Sequence, residues 1–160
     1  MLSEIKTILY STDLKGKGTE NAFRMAAGLA QSTGAHMVVL HAIEPTALDI
    51  APAIKNMLSD DLLEKFKSEG VQEHKEQIEQ RLKEFCDREC PDGNLPGGKP
   101  TIVVEQGKPQ RLILDIAEKH NADLIVMGTR THITLGDGLL GSTATKVIHR
   151  SKIPVLIYPL

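Results

Sequence analysis

The sequence has few aromatic side chains and no concentration of basic charge. Phe, Trp and Tyr make up 3% of its 160 residues and there is no Trp, so it lacks the stacking surfaces that bind single-stranded nucleic acid. Its 19 Lys and Arg residues are balanced by 21 Asp and Glu residues, for a formal net charge of −2. The absence of a Lys- or Arg-rich run, together with this balance, excludes a dedicated nucleic-acid-binding protein.

Cysteines and long apolar runs are also scarce. Cys86 and Cys90 are the only cysteines, too few for a disulfide scaffold. Their spacing places both on one face of a helix, which leaves redox sensing or half of a metal site open beside a purely structural role. No apolar run has the length of a membrane span, and residues 1–6 lack the basic start and apolar core of a signal peptide. We therefore expect a cytoplasmic protein with no membrane partner.

Sequence motifs that carry catalytic chemistry are missing. The six histidines include no H-E-x-x-H pair, and no Ser lies in a G-x-S-x-G elbow. The segment Lys15-Gly-Lys-Gly18 lacks the Gly-Lys-Ser/Thr ending of a phosphate-binding P-loop, so we interpret it as a turn. Asp13 has neither the acidic neighbour nor the Lys after the last strand that a phosphate-receiving regulatory domain needs. These absences favour a binding protein over a high-turnover enzyme.

What the sequence does contain is an alternation of short apolar runs with helical segments. The runs are nearly continuous in Val, Ile and Leu, which indicates strands buried on both faces, as in a parallel sheet covered by helices. The predicted strands are Ile5–Tyr10, His36–Ala42, Thr101–Glu105, Asp123–Met127 and Pro154–Tyr158. Because no Gly/Ser linker or repeat divides the chain, we predict one α/β domain over residues 1–160, with helices on both faces of the sheet.

Helical spacing of apolar residues marks four segments between the predicted strands. The first is expected to end at Gly34 and the third to begin at Pro109. The second is long, with Gly70 as a candidate break. The apolar stripes are Ala22, Met25, Ala26, Leu29 and Ala30; Leu58, Leu62, Phe66, Ile78, Leu82 and Phe85; Leu112, Ile113, Ile116 and Ala117; and Leu139, Leu140, Ala144, Val147 and Ile148.

Ligands of open parallel sheets bind at the carboxyl ends of the strands. The residues that follow the strands are therefore candidates, and Gly141-Ser142-Thr143 at the start of the last helix is the most informative group. A helix N-terminus presents backbone N–H groups and a partial positive charge that suit phosphate, and a glycine there lets an anion approach closely. An ordinary helix cap explains the same three residues equally well. His41, inside the second strand, is predicted to be packed and hydrogen-bonded.

Several segments together resemble the universal stress protein family. They are Lys6-Thr-Ile-Leu-Tyr-Ser-Thr-Asp13, Val104-Glu-Gln-Gly-Lys-Pro109, Ala122-Asp-Leu-Ile-Val-Met-Gly128 and Ile153-Pro-Val-Leu-Ile157. Nucleotide-binding members of the family carry Gly-x2-Gly-x9-Gly-(Ser/Thr), and here Gly128 and Gly141-Ser142 keep that spacing. The resemblance covers nearly the whole chain and implies a Rossmann-like sheet with strand order 3-2-1-4-5.

The resemblance also implies an ATP site, with ATP bound alone or together with Mg²⁺. Asp13 and its neighbours would hold the ribose, Ala42 would offer backbone groups to the adenine, and the last glycine and the hydroxyls after it would hold the phosphates. The implied nucleotide-binding residues are Ser11, Thr12, Asp13, Ala42, Met127, Gly128, Arg130, Thr131, Gly141, Ser142, Thr143 and Ala144. No catalytic residue and no protein metal ligand is predicted.

The chain departs from the family motif at Thr131, which stands where nucleotide-binding members have the second glycine. A β-branched residue restricts the backbone and adds bulk beside the ligand, whereas its hydroxyl could instead donate to a phosphate. Two main hypotheses follow. The first is an ATP-dependent stress-response binding module, and the second is a family member that binds no nucleotide and acts through dimerisation and other proteins. Slow ATP hydrolysis is a third alternative.

The strand order implied by the family would leave the last strand at an edge of the sheet. No charged residue occurs between Pro154 and Leu160, so nothing protects this edge from pairing with another chain. Two copies of one strand form a self-complementary contact, and we therefore expect a homodimer through the C-terminal strand. The client proteins and the inducing stress cannot be read from the sequence.

Overall fold

The computed structural model describes residues 3–15, 18–45, 56–90, 93, 95–129 and 140–160. Five strands pair in parallel in the order β3-β2-β1-β4-β5. They are β1 (Thr7–Ser11), β2 (His36–Ile43), β3 (Thr101–Gln106), β4 (Leu124–Thr129) and β5 (Val155–Pro159). The predicted open five-stranded parallel sheet and its strand order are confirmed.

The described residues contain four helices in the intervals between the strands. They are α1 (Thr19–Thr33), α2 (Asp60–Glu89), α3 (Pro109–Lys119) and α4 (Ser142–Arg150). The first ends at Gly34, whose φ of 75° is the left-handed conformation that favours glycine after a helix. The third has Pro109 in its first turn, where the missing N–H costs no helix hydrogen bond. Both of these boundaries were predicted.

The strand boundaries at the amino edge of the sheet differ from the prediction because of one side chain. Asp123 was assigned to the fourth strand, but its Oδ2 accepts hydrogen bonds from the N–H groups of Lys6 and Thr7, at 2.8 and 3.0 Å. The side chain therefore takes up the backbone donors of Lys6, which precedes β1, and of Thr7, the first residue of β1. As a result β1 begins at Thr7 rather than Ile5, and β4 begins at Leu124.

Successive residues of each strand pack into two hydrophobic clusters, one on each face of the sheet. Ile8 and Tyr10 of β1 join the cluster formed with α1 and α2, whereas Leu9 joins the cluster formed with α3 and α4. All three residues are at most 1% exposed. Helices therefore cover both faces, which explains why the sequence shows continuous apolar runs rather than alternation.

The few aromatic side chains are concentrated where three elements meet. Phe23 of α1 makes edge-to-face contacts with Tyr10 and Phe85, with ring centroids 5.6 and 5.0 Å apart. The Tyr10 hydroxyl donates a 3.0 Å hydrogen bond to the carbonyl of Thr19. Burial raises the pKa of Tyr10 to about 12, so this hydroxyl stays a donor. The row of rings joins β1, α1 and α2.

The second helix is longer than its packed portion. It runs without a break through Gly70, so the predicted break is wrong, and its buried residues begin only at Ile78. Leu62 and Phe66 belong to the predicted apolar stripe, yet they are 52% and 56% exposed. Periodicity identified one side of the helix but carried no information about whether the sheet reaches that far.

The apolar stripe predicted for the last helix is correct only in part. The helix begins at Ser142, so Leu140 precedes it, and Leu139 lies outside the described residues. Ala144 and Val147 are buried, whereas Ile148 is 43% exposed.

The unequal packing of α2 gives a stability prediction with a matched control. Leu82 is 0% exposed and Leu62 is 52% exposed, on the same helix. Leu82→Ala should lower the free energy of unfolding by about 2–5 kcal/mol, because it removes buried methyl groups and leaves a cavity. Leu62→Ala should change it by no more than about 0.5 kcal/mol. Urea denaturation of both variants tests this, and equal losses would contradict the packing described.

Candidate functional site

A crevice of about 520 Å³ opens at the carboxyl edge of the sheet, above the ends of β1, β2 and β4. All the predicted binding residues that the structure describes line it. They are Ser11, Thr12, Asp13, Ala42, Met127, Gly128, Gly141, Ser142, Thr143 and Ala144. Arg130 and Thr131 lie outside the described residues.

The segment after β1 is folded by its own side chains. The Thr12 N–H donates to the carbonyl of Leu40 at 3.0 Å, and the Thr12 Oγ1 accepts from the N–H of Leu14 at 3.1 Å. Asp13 Oδ1 accepts from the N–H of Lys15 at 2.9 Å. These local bonds hold the exposed Asp13 carboxylate at the mouth of the crevice, beside the end of the central strand.

His41 takes the position of a backbone donor at the end of the β1–β2 ladder. Its Nδ1 lies 2.9 Å from the carbonyl oxygen of Thr12, and because a carbonyl only accepts, Nδ1 carries the proton and donates. If the ladder continued, this carbonyl would accept from the N–H of Ala42. Among the described residues no group accepts from that N–H. The prediction that His41 is hydrogen-bonded is confirmed, but its place in the crevice was missed.

The backbone of Ala42 is therefore directed into the crevice. Backbone groups alternate sides along a strand, and the carbonyl of Leu40 faces β1 while that of Ile43 accepts from Gly107 on the β3 side. The N–H and carbonyl of Ala42 consequently face the β1 side, beyond Ser11, the last residue of β1. A donor and an acceptor on one residue suit the edge of a planar heterocycle.

Burial is the main reason that the pKa of His41 is lowered from its usual value of 6.5, and repulsion by His74 and Arg81 adds to it. The Thr12 carbonyl and the charge of Asp13 act in the opposite direction, but they do not overcome burial. His41 is therefore neutral near pH 7, with its proton on Nδ1. This is the state that the hydrogen bond to Thr12 requires.

The start of α4 forms the other end of the crevice. Gly141 N donates to Thr129 Oγ1 at 3.0 Å, and no side chain of the described residues caps the helix. Thr129 is 4% exposed, so its hydroxyl fixes the entry to α4 from inside the structure. The first turn, Ser142 to Ala144, therefore presents backbone N–H groups and a positive dipole end to the crevice. Thr129 was not predicted as a site residue.

Gly128 has a packing role that the sequence did not reveal. The family resemblance implies that this glycine is a nucleotide-binding residue. A Cβ on it would lie 2.7 Å from Leu160 Cδ1, so the side chain of Leu160 occupies the space beside it. Leu160 N also donates to the carbonyl of Thr129 at 2.9 Å. A residue with a Cβ at position 128 would therefore require the side chain of Leu160 to move, whether or not a ligand is bound.

One wall of the crevice comes from a helix that the sequence analysis did not connect to the site. His74, Ile78 and Arg81 of α2 line it, opposite His41 and the end of β2. Their spacing of four and three residues puts them on one helix face. That spacing is visible in the sequence, but no sequence signal showed which strand end the face would meet.

A model of the universal stress protein family matches residues 4–159 of the chain. The chain belongs to the universal stress protein family. The family resemblance found in the sequence is thereby confirmed over almost the full length.

This family member aligns with other universal stress proteins over nearly its whole length. The Thermus aquaticus protein named "Universal stress protein in QAH/OAS sulfhydrylase 3'region" is 34% identical over 156 residues, 95% of this chain and 97% of that one. The structure of MJ0577, from Methanocaldococcus jannaschii, aligns with a TM-score of 0.75 at 25% identity over 99% of this chain and 98% of that one. A universal stress protein in complex with cAMP aligns with a TM-score of 0.65 at 23% identity, over 98% of both chains.

The two cysteines of this universal stress protein lie at a second, smaller cavity near the end of α2. Both are free thiols. Burial raises the pKa of Cys86 to about 12 and also raises that of Cys90, which keeps both in the less reactive protonated form. Over the described ranges no group of three or more His, Cys, Asp and Glu residues is placed to hold a metal. Within those ranges no helix is long and apolar enough to cross a membrane.

The lowered pKa of His41 predicts how stability depends on pH. In the unfolded chain His41 is protonated near pH 6.5, whereas in the folded protein it is protonated only at a lower pH. The contribution of His41 to the free energy of unfolding therefore falls as the pH drops through and below 6.5. The amide of Asn can still donate to Thr12, so His41→Asn should lose less unfolding free energy than the wild type between pH 7.5 and pH 5.5. Urea denaturation at each pH measures this loss. The two proteins should change in parallel from pH 7.5 to pH 8.5, and equal losses in the acid range would contradict the prediction.

Proposed function

We propose that this universal stress protein binds an adenine nucleotide, ATP, in the crevice at the carboxyl edge of its sheet. Binding would change which partner proteins it engages during stress, rather than support rapid turnover. The observation that carries the proposal is the meeting, in one crevice, of the α4 N-terminus with the Ser11–Asp13 segment and the β2 end at Ala42. The volume, about 520 Å³, lies within the range of sites for ligands of nucleotide size.

The phosphates would lie at the start of α4. The uncapped first turn supplies backbone N–H groups, and the hydroxyls of Ser142 and Thr143 stand beside them. Such a terminus favours an anion through both its donors and its dipole. The hydrogen bond from Gly141 N to the buried Thr129 fixes the position of this turn before a ligand arrives, and a preorganised site loses less entropy on binding.

The nucleoside would occupy the part of the crevice above β1 and β2. Asp13 would accept hydrogen bonds from ribose hydroxyls, and the outward-facing N–H and carbonyl of Ala42 would pair with the adenine edge. A universal stress protein of the same fold was solved in complex with cAMP, an adenine nucleotide, and this supports the proposal. Mg²⁺ would reach the site with the phosphates, whose oxygens are its preferred ligands.

A negative charge at Gly141 tests the phosphate end. Gly141 has φ −50° and ψ 150°, which residues with a Cβ adopt readily, so Gly141→Glu should fold. Its carboxylate should lower the affinity for ATP by at least about tenfold, through repulsion and bulk where phosphate would bind. Calorimetric titration with ATP, with and without Mg²⁺, measures the change.

The control for this titration is Gly70→Glu, which adds the same charge on α2, where a Cβ meets nothing within 4 Å. It should keep the wild-type affinity. An unchanged affinity in folded Gly141→Glu would remove the α4 N-terminus from the proposed site. Absence of ATP binding by the wild type would instead favour the non-nucleotide alternative, in which the protein acts through dimerisation and interaction with other proteins.

We also propose that the protein is a homodimer paired through β5. The strand order places β5 at an edge of the sheet. Because the Pro154 carbonyl accepts from Ile125 and Leu160 N donates to Thr129, the backbone groups of Val155 and Ile157 face outward. Charged residues are absent along the strand, so its exposed donors and acceptors are open to a second copy.

A proline at Ile157 tests this pairing. It removes an outward-facing N–H while leaving the β4–β5 hydrogen bonds, and edge strands tolerate such a change. The wild type should sediment as a dimer at micromolar concentration and Ile157→Pro as a folded monomer. Leu156→Pro is the matched variant, since its N–H faces β4, and it should instead destabilise the fold. A monomeric wild type, or a dimeric Ile157→Pro protein, would contradict the proposal.

A further inference from the structure

Arg81 and His74 are basic residues on the crevice wall that no other described residue uses. Among the residues described, neither side chain makes a hydrogen bond or an ion pair. Arg88, two turns further along α2, is different, because it lies 3.5 Å from Glu20 and 3.3 Å from Glu89. The crevice-facing side of α2 therefore presents positive charge and N–H donors without a partner in the fold.

The position of Arg81 is tied to the ribose end of the crevice through His41. The charges of Asp13, His74 and Arg81 all affect the pKa of His41, and these four residues line the same crevice. Within the described part of the chain, the other charged residues that line the crevice are Lys15 and Glu44. A sugar held by Asp13 would consequently share the crevice with Arg81 and His74 on the α2 wall.

The crevice thus has groups suited to anions at both of its ends, on opposite faces of the sheet. The α4 N-terminus belongs to the face covered by α3 and α4, and Arg81 belongs to the face covered by α1 and α2. Between them lie the ends of β4, β1 and β2, spaced about 5 Å apart from strand to strand. A nucleoside lying across the edge above β1 would join the two ends.

We propose that Arg81, assisted by His74, binds a second phosphate on the ribose of the nucleotide, so that the site prefers adenosine bisphosphates to adenosine 5′-monophosphate. One ribose hydroxyl stays with Asp13, and the adjacent 2′ or 3′ oxygen carries the phosphate toward Arg81. The guanidinium group suits phosphate because its N–H groups can donate two parallel hydrogen bonds. This inference rests on the proposed nucleotide function.

The experiment is a calorimetric comparison of adenosine 5′-monophosphate with adenosine 2′,5′- and 3′,5′-bisphosphate. One bisphosphate should bind the wild type about tenfold more tightly than the monophosphate, the size expected for a charge-assisted contact to a partly hydrated arginine. In Arg81→Gln this preference should disappear while the affinity for the monophosphate is retained. Raising the ionic strength should also reduce the preference.

Lys83→Gln is the control, because it removes the same charge from an exposed α2 residue that lies on the smaller cavity rather than on the crevice. It should keep the wild-type preference. Equal affinities for all three ligands in the wild type, or a preference that survives in Arg81→Gln, would overturn the second-phosphate site and leave the proposed nucleotide function standing. Failure of all three nucleotides to bind would overturn the second-phosphate site, and failure of ATP to bind as well would overturn both.

Discussion

The pairing of β1 on both sides is the constraint on which the rest of the molecule depends. The chain runs from β1 to β2 and β3 in one direction across the sheet, then returns to place β4 on the other side of β1. Because parallel crossovers are right-handed, this return moves the later helices to the opposite face. The connections that follow β1 and β4 therefore leave the carboxyl edge of the sheet on opposite faces. The crevice forms between these two connections, above β1.

The strands could be predicted from the sequence because each is buried on both faces and forms an apolar run. The first residues of β1 and β4 were not predicted correctly, because they depend on the hydrogen bonds of the Asp123 carboxylate. Helix periodicity failed at Leu62 and Phe66, since a pattern identifies an apolar side but not the neighbour that covers it. The rule for parallel sheets located residues after the strands that line the crevice. It could not place His74 or Arg81, whose contact with the crevice depends on how α2 crosses the sheet, nor show that Leu160 fills the space beside Gly128.

Two side chains, His41 and Thr129, do for the crevice what ladder hydrogen bonds do elsewhere in the sheet. Each engages a backbone group where regular pairing stops, the Thr12 carbonyl in one case and the Gly141 N–H in the other. Neighbouring backbone groups are thereby left for a ligand without leaving the strand ends loose. Thr129 is buried and His41 is half-buried, so the fold itself sets the shape of the described part of the crevice.

The length of α2 has a mechanical consequence. Its packed portion ends near Ile78, and roughly 27 Å of helix extends from there to Asp60, at 1.5 Å per residue. Ile78 also forms part of the crevice wall, so the point at which the packed portion of the helix ends lies beside the crevice. A tilt of about 10° at Ile78 carries the first turn of the helix through about 5 Å. A small movement of the crevice wall at Ile78 would thus be accompanied by a larger displacement of the amino-terminal half of α2.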